Sequence, residues 1–123
     1  MNLPKSEEQL MLVLWKLKKA FMKDIVEAYP EPKPANTTIA TLLKRLQDKK
    51  AVGFTKYGSV REYHPLIAKD DYFSSQMSGA IKNFFNDSVA QFASFFTSKD
   101  NLTDEQLEEL RKIVDEQIKA RKK

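Results

Sequence analysis

The sequence has no cysteine, a single histidine and only three glycines among its 123 residues. The absence of cysteine excludes disulfides, thiolate metal sites and cysteine nucleophiles. The glycines are scattered singly, so there is no glycine-rich loop of the kind that cradles phosphates. His64 precedes a proline and has no acidic residue at a spacing that suggests a catalytic pair. These shortages predict a protein that is not an enzyme and that binds neither a metal nor another cofactor.

Long apolar runs are also missing. The longest one, from Leu10 to Trp15, is too short for a signal peptide or a membrane span. Apolar residues still make up 41% of the chain, which is enough for a modest core. We therefore expect a soluble, cytoplasmic protein with no membrane partner.

Positive charge is concentrated in one part of the chain. The net charge is only +4, yet residues 33 to 61 hold seven lysines and arginines against the single acid Asp48. A surface that binds a polyanion requires such a concentration of cations.

A helix predicted over Ala35 to Lys50 lies at the centre of this basic region. At about 100° per residue its apolar side chains fall on one narrow face, which must dock on a core. The opposite face carries short hydroxyls and long cations, namely Thr37, Thr38, Thr41, Lys44 and Arg45, together with Asp48. Because Thr and Arg can enter a major groove while Lys reaches the backbone, this face is the first candidate for function. Lys49 suits either a DNA phosphate or the negative end of the helix dipole.

Two helices are predicted before this one and a β-hairpin after it. A capping box at Ser6 to Gln9 starts the first helix, whose Trp15 we interpret as core, and Met22 to Tyr29 forms the second. Two runs rich in β-branched and aromatic residues then flank Gly58 and predict a hairpin. The tip of this hairpin carries Lys56, Tyr57, Ser59 and Arg61. Three helices followed by a basic hairpin are typical of a winged helix-turn-helix, so the fold class is mainly α, with this DNA-binding domain over residues 1–68.

Residues 69–123 are predicted to form a helical dimerisation domain. One long apolar side runs to residue 97, a loop follows over 98–101, and a capping box at Thr103 to Gln106 starts the final helix. The exposed apolar patch is too large for a monomer, and a second copy covers it most simply. The alternative is that these helices fold back on the first domain. The predicted dimerisation residues are Phe73, Met77, Ile81, Phe84, Phe85, Val89, Phe92, Phe96, Leu107, Leu110 and Val114.

Several segments together resemble the penicillinase and methicillin-resistance repressor family (BlaI/MecI), whose members regulate antibiotic resistance. They are LMLVLWKL, MKDIVEAY, TTIATLLKRLQDKKAV, TKYGSVREYHPLI and NLTDEQLEELRKIVDE. The resemblance implies a dimeric transcriptional repressor that binds double-stranded DNA at a palindromic operator. It implies DNA contacts from the third helix at Thr38, Thr41, Lys44 and Arg45, and from the wing at Lys56, Tyr57 and Arg61.

The resemblance also implies regulation by a protease that cuts an Asn–Phe bond in the dimerisation domain. The matching position here is Gln91-Phe92, which departs from the family pattern, while Asn83-Phe84 lies out of register. A copper-responsive branch (CopY) carries C-terminal cysteines, and this chain has none, which argues against metal sensing of that kind. The alternative function is a winged helix that binds an acidic protein partner without specific DNA binding.

Overall fold

A computed structural model describes residues 1–98 and 101–122. Contacts between residues divide the chain into two compact units, Met1–Met77 and Ser78–Lys123. The elements in chain order are α1 (Lys5–Leu17), β1 (Ala20–Phe21), α2 (Met22–Ala28), α3 (Asn36–Asp48), β2 (Val52–Tyr57), β3 (Val60–Pro65), α4 (Lys69–Phe84), α5 (Val89–Thr97) and α6 (Asp104–Arg121).

The core of the first unit is built from the apolar faces of α1, α2 and α3. Its largest fully buried side chains are Leu10, Met11, Leu14, Ile25, Ile39, Leu43 and Leu46. The predicted inward face of the third helix is confirmed, since Ile39, Leu42, Leu43 and Leu46 are all buried. Burial of this stripe fixes the rotation of α3 about its axis and therefore turns its opposite face outward.

A three-stranded antiparallel sheet in the order β1-β3-β2 completes the first unit. The predicted hairpin is confirmed, because β2 pairs with β3 from Val52 opposite Pro65 to Tyr57 opposite Val60. Gly58, in the turn, has a φ of 62°, which glycine adopts without strain. β1 has no sequence signature, because two residues are too few to display a period of two. Together the three helices and the hairpin form the predicted winged helix-turn-helix.

The start of α1 differs from the prediction. The capping box at Ser6 is wrong, since α1 begins at Lys5 and its N-cap residue, Pro4, offers no side-chain cap. Glu7, inside the predicted box, is instead buried at 2% exposure. Its Oε1 accepts a hydrogen bond from Lys49 Nζ at 2.6 Å, so an ion pair joins the first turn of α1 to the end of α3.

The first turns of α4 pack on the core of the first unit. The hydroxyl of Tyr72 donates to Glu8 Oε2 at 2.8 Å and accepts from the Leu3 amide at 3.2 Å. Burial raises the pKa of the Tyr72 hydroxyl, which stays protonated as the donor to Glu8. Phe73 packs against Trp15, whose Nε1 donates to the carbonyl of Ile67 at 2.9 Å. The predicted core role of Trp15 is thereby confirmed, and Phe73, which is predicted for dimerisation, packs partly buried against the same core.

The second unit contains no buried residue among those that the structure describes. The rings of Phe85, Phe92, Phe95 and Phe96 form a cluster with centroid separations of 5.4 to 5.7 Å. The capping box predicted at Thr103 to Gln106 is confirmed at the start of α6. The loop predicted over 98–101 includes residues 99 and 100, which lie outside the described residues. This unit therefore has apolar side chains that gather without becoming buried.

Candidate nucleic-acid interface

The outward face of α3 is the first part of the candidate site. Every side chain predicted to point outward is exposed, namely Thr37, Thr38, Thr41, Lys44, Arg45 and Asp48. Neither Lys44 nor Arg45 has a carboxylate within ion-pair distance in the described ranges. Ala35 precedes the helix without a side-chain cap, so the first amides of α3 have no side-chain acceptor from their N-cap residue. Positive potential and unused donors therefore lie along one helix face.

Thr41 is already oriented by a contact within the helix. Its Oγ1 donates to the carbonyl of Thr37 at 2.9 Å, one helical turn earlier. Because the hydroxyl hydrogen is donated to this carbonyl, the lone pairs of the hydroxyl oxygen remain free to accept hydrogen bonds. Thr41 is therefore suited to accept from an amino group of adenine or cytosine, or to contact a thymine methyl through its own methyl group.

Two lysines of the basic region have structural roles that the sequence did not reveal. Lys49, predicted to contact DNA, forms the ion pair with Glu7 described above, and its side chain is 38% exposed. The Nζ of Lys33 donates to the carbonyls of Val26, Glu27 and Tyr29 at 3.1, 2.8 and 3.0 Å. Those carbonyls belong to the end of α2, where a cation also favours the helix dipole. Among the described residues, the cations of this region with neither an ion pair nor a hydrogen bond to a helix end are Lys44, Arg45, Lys50, Lys56 and Arg61.

We expect Lys33→Met to lower the free energy of unfolding by about 1–2 kcal/mol, because three carbonyls lose a charged donor while the aliphatic stem remains. Urea unfolding followed by the fluorescence of Trp15 measures this change in the first unit. Lys44→Met is the matched control, since Lys44 is exposed on α3, and we expect it to stay within about 0.5 kcal/mol of the parent. Equal stabilities of the two variants would contradict a capping role for Lys33.

The wing is the second part of the candidate site. Lys56 and Arg61 lie directly opposite each other on neighbouring strands. The guanidinium carbon of Arg61 lies 4.3 Å from the centroid of the Phe54 ring, a cation–π distance that holds the side chain in place. Two like charges opposite each other in a hairpin repel, and an anion placed between them relieves the repulsion. Tyr57, 54% exposed, packs against Phe21 with ring centroids 6.2 Å apart.

Sequence reasoning missed the contact between Arg61 and Phe54. The alternation of side chains in the predicted hairpin could have indicated this contact, because the register puts Phe54 and Arg61 on the same face. Ser59 lies in the two-residue turn, as predicted, and is exposed. His64 faces Gly53 across the strands, and a side chain at Gly53 would meet the His64 ring at 3.0 Å. A packing role therefore accounts for this histidine.

Residues 1–98 and 101–122 contain no group of three or more His, Cys, Asp or Glu residues that could hold a metal ion. None of the helices in these ranges is both long enough and apolar enough to cross a membrane.

The residues predicted for dimerisation remain partly or largely accessible in the second unit. Phe84 is 79% exposed, Val89 68%, Phe96 44% and Val114 48%. Ile81, Phe85, Phe92, Leu107 and Leu110 are half-buried. Met77, the last residue of the first unit, is 52% exposed. Phe95, Ile113 and Ile118 are similarly exposed and extend the apolar surface beyond the residues that were predicted.

Comparisons with known proteins add to this geometry. A sequence model described as the penicillinase repressor family matches residues 3–116. The chain is 29% identical over 119 residues to the penicillinase repressor of Bacillus licheniformis, an alignment that covers 96% of this chain and 92% of that one. It is 26% identical over 110 residues to the methicillin resistance regulatory protein MecI of Staphylococcus aureus strain N315, covering 89% of each chain.

Among solved structures, the chain is similar to the solution structure of the DNA binding domain of the repressor BlaI. The match has a TM-score of 0.52 and 29% sequence identity, and it covers 58% of this chain and 88% of that one. The matched share corresponds to the size of the winged helix-turn-helix.

Proposed function

Because this chain belongs to the penicillinase repressor family, we propose that it is a dimeric transcriptional repressor that binds a palindromic operator through α3 and the wing. The observation that carries the proposal is the outward face of α3, where hydroxyls are followed at helical spacing by cations that form no ion pair within residues 1–98 and 101–122. Its relatives bear the names of repressors and regulators rather than of enzymes. Repression by DNA binding is thus the activity that both the site and the family support.

In the proposed complex, α3 enters the major groove and its exposed face reads base edges. Arg45 donates to guanine O6 and N7, while Thr38 and Thr41 contact neighbouring bases. Lys44 and the uncapped amides at the start of α3 bind phosphates. Lys49 takes no part in reading DNA, because its ammonium group neutralises Glu7.

The wing supplies the second set of contacts. Lys56 and Arg61 hold one backbone phosphate between them, and Tyr57 and Ser59 donate hydroxyls to the same strand. Since phosphate contacts carry no sequence information, the wing fixes the orientation of the domain while α3 provides discrimination.

The second unit provides the dimer. Its described residues include none that is buried, and its exposed phenylalanines form a patch that a twofold-related copy covers with the same patch. A twofold dimer presents two copies of α3 to two half-sites, which is why the operator is expected to be palindromic.

Regulated proteolysis at Gln91-Phe92 is a further part of the proposal. This bond lies in the first turn of α5, where the amide of Gln91 donates to Ser88 Oγ at 3.1 Å. A protease binds its substrate in an extended conformation, so cleavage here requires this turn to unwind first. The exposure of Val89 and Gln91 makes the turn reachable.

Paired substitutions on α3 and the wing test the DNA contacts. Operator sequences are first selected from a random pool of duplex DNA. We expect Arg45→Ala to lower the preference for the selected sequence over random duplex by about 10- to 100-fold, the equivalent of one lost bidentate base contact. Lys56→Ala should lower the affinity for selected and for random DNA by the same factor. It should also lower the slope of log affinity against log salt by about one.

Lys16→Ala is the matched control, because Lys16 is exposed on α1 and lies in neither proposed contact surface. It should leave both the preference and the salt slope unchanged. If the parent protein binds no sequence better than random duplex at physiological salt, the repressor proposal is wrong. The second candidate, a winged helix that binds an acidic protein, then becomes the better account of the basic face.

A further inference from the structure

A cleft of about 700 Å³ lies between the start of α2 and the side of β3 that faces β1. Its volume is within the range of about 300–1,000 Å³ that small-molecule sites occupy. Phe21, Met22 and Lys23 line one side, and Val60 and Arg61 line the other. All of these residues belong to the first unit.

The cleft exists because β1 is shorter than the strand that it borders. β1 pairs with β3 only at Ala20 opposite Tyr63 and Phe21 opposite Glu62. The chain then turns into α2, and the amide of Phe21 donates to Asp24 Oδ2 at 3.0 Å to close this turn. β2 pairs with β3 on one side at Val60 and Arg61, but within the described part of the chain no strand pairs with these two residues on the side where β1 lies. The cleft occupies the space that β1 would fill if it continued alongside β3.

The walls combine apolar surface with positive charge. Val60 is 52% exposed near the tip of the wing, and the Phe21 ring is held against Tyr57. Met22, whose unbranched side chain adapts to different shapes, lies beside them. Two basic residues, Lys23 and Arg61, are among the lining residues, while the carboxylate of Asp24 accepts the hydrogen bond of the Phe21 amide. The complementary ligand has an apolar body and one negative charge.

We infer that the cleft binds a small organic molecule with an aromatic-sized apolar body and one carboxylate, and that its occupancy weakens operator binding. The second half of the inference rests on the proposed function, because Ser59 and Arg61 line the cleft and also belong to the proposed phosphate contact. A carboxylate bound beside Arg61 repels a DNA phosphate that approaches the wing. The ligand therefore acts on the wing rather than on α3.

The binding half is tested on the full chain without DNA, with 4-phenylbutyrate as the probe and its neutral amide as the comparison. Methyl signals of Met22 and Val60 in NMR titrations should shift and saturate with the carboxylate. The amide should bind at least about fivefold more weakly, since it lacks the attraction to Lys23 and Arg61. Val60→Asp should lower the affinity for 4-phenylbutyrate by about tenfold or more, because it places a second negative charge in the apolar wall of the cleft.

Leu66→Asp is the matched control for that variant, since Leu66 is 55% exposed in the same unit and outside the cleft. Its affinity for the probe should equal that of the parent. Lys23→Gln provides a milder second test. It should lower the affinity for 4-phenylbutyrate by about threefold and leave the affinity for the neutral amide unchanged. Shifts confined to methyl groups outside the cleft, or unchanged binding in Val60→Asp, would overturn the site.

The regulatory half is tested with operator DNA selected as above. At saturating 4-phenylbutyrate we expect operator affinity to fall by at least about threefold, and the Lys23→Gln variant to need more probe for the same effect. Specific operator binding that stays constant at saturation would overturn the inference and leave the proposed function intact. Absence of specific operator binding without the probe would instead overturn the proposed function, whatever the probe does.

Discussion

Phe92→Asp is expected to convert a dimer into monomers and to lower operator affinity by about 100-fold or more. Phe92 lies at the middle of the aromatic cluster, 5.5 Å from Phe85 and 5.7 Å from Phe96 between ring centroids. A carboxylate in this position must be desolvated when two copies meet, and twofold symmetry imposes that cost twice. A monomer contacts one half-site only and loses the gain from binding both together. Sedimentation measures the mass, and titration with selected operator DNA measures the affinity.

The sole tryptophan shows whether such a variant has changed more than its assembly. Trp15 packs against Tyr72 and Phe73 within the first unit, so its fluorescence reports the folding of that unit. Phe92→Asp should leave this fluorescence unchanged. Ser94→Asp is the matched control, because Ser94 is exposed on the same helix and about 160° around it from Phe92. A monomeric parent protein, or a variant that stays dimeric, would contradict the assignment of the second unit.

The winged helix-turn-helix was predictable because strong periodic signals coincide along the first part of the chain. The apolar stripe of α3 fixed both its buried and its exposed faces, and the runs around Gly58 fixed the hairpin. β1 was not predictable, since Ala20 and Phe21 become a strand only when β3 lies beside them. Such a short element is decided by tertiary pairing and leaves no local pattern.

The charged residues of the site were only partly predictable for a related reason. Local patterns assign a lysine to solvent, to a helix dipole or to DNA, and they do not reveal partners far away in the chain. Glu7 and Lys49 are 42 residues apart, and Lys33 reaches back to α2 across a proline-rich spacer. The boundary between the units was affected in the same way, because Tyr72 and Phe73 in α4 join the first core. Long-range contacts decided these assignments.

The ion pair between Glu7 and Lys49 leads to the second large prediction. Lys49→Met should lower the free energy of unfolding of the first unit by about 2–4 kcal/mol, because it leaves the carboxylate of Glu7 buried without its cation. Glu7→Gln should lower the free energy of unfolding by less, about 1 kcal/mol, since the ammonium group of Lys49 is partly exposed and water can solvate it. Urea unfolding followed by Trp15 fluorescence, at fixed protein concentration, measures both values.

The double variant distinguishes a buried charge from a general loss of packing. Glu7→Gln should recover part of the stability lost in Lys49→Met, because an amide is less costly than a carboxylate without its partner. Additive losses would contradict this account of the pair. The salt dependence of operator binding gives a second criterion, since Lys49→Met should leave its slope unchanged while the variant is folded. A slope lower by about one would instead assign Lys49 to a DNA phosphate, with Glu7 holding the ammonium group in position for that contact.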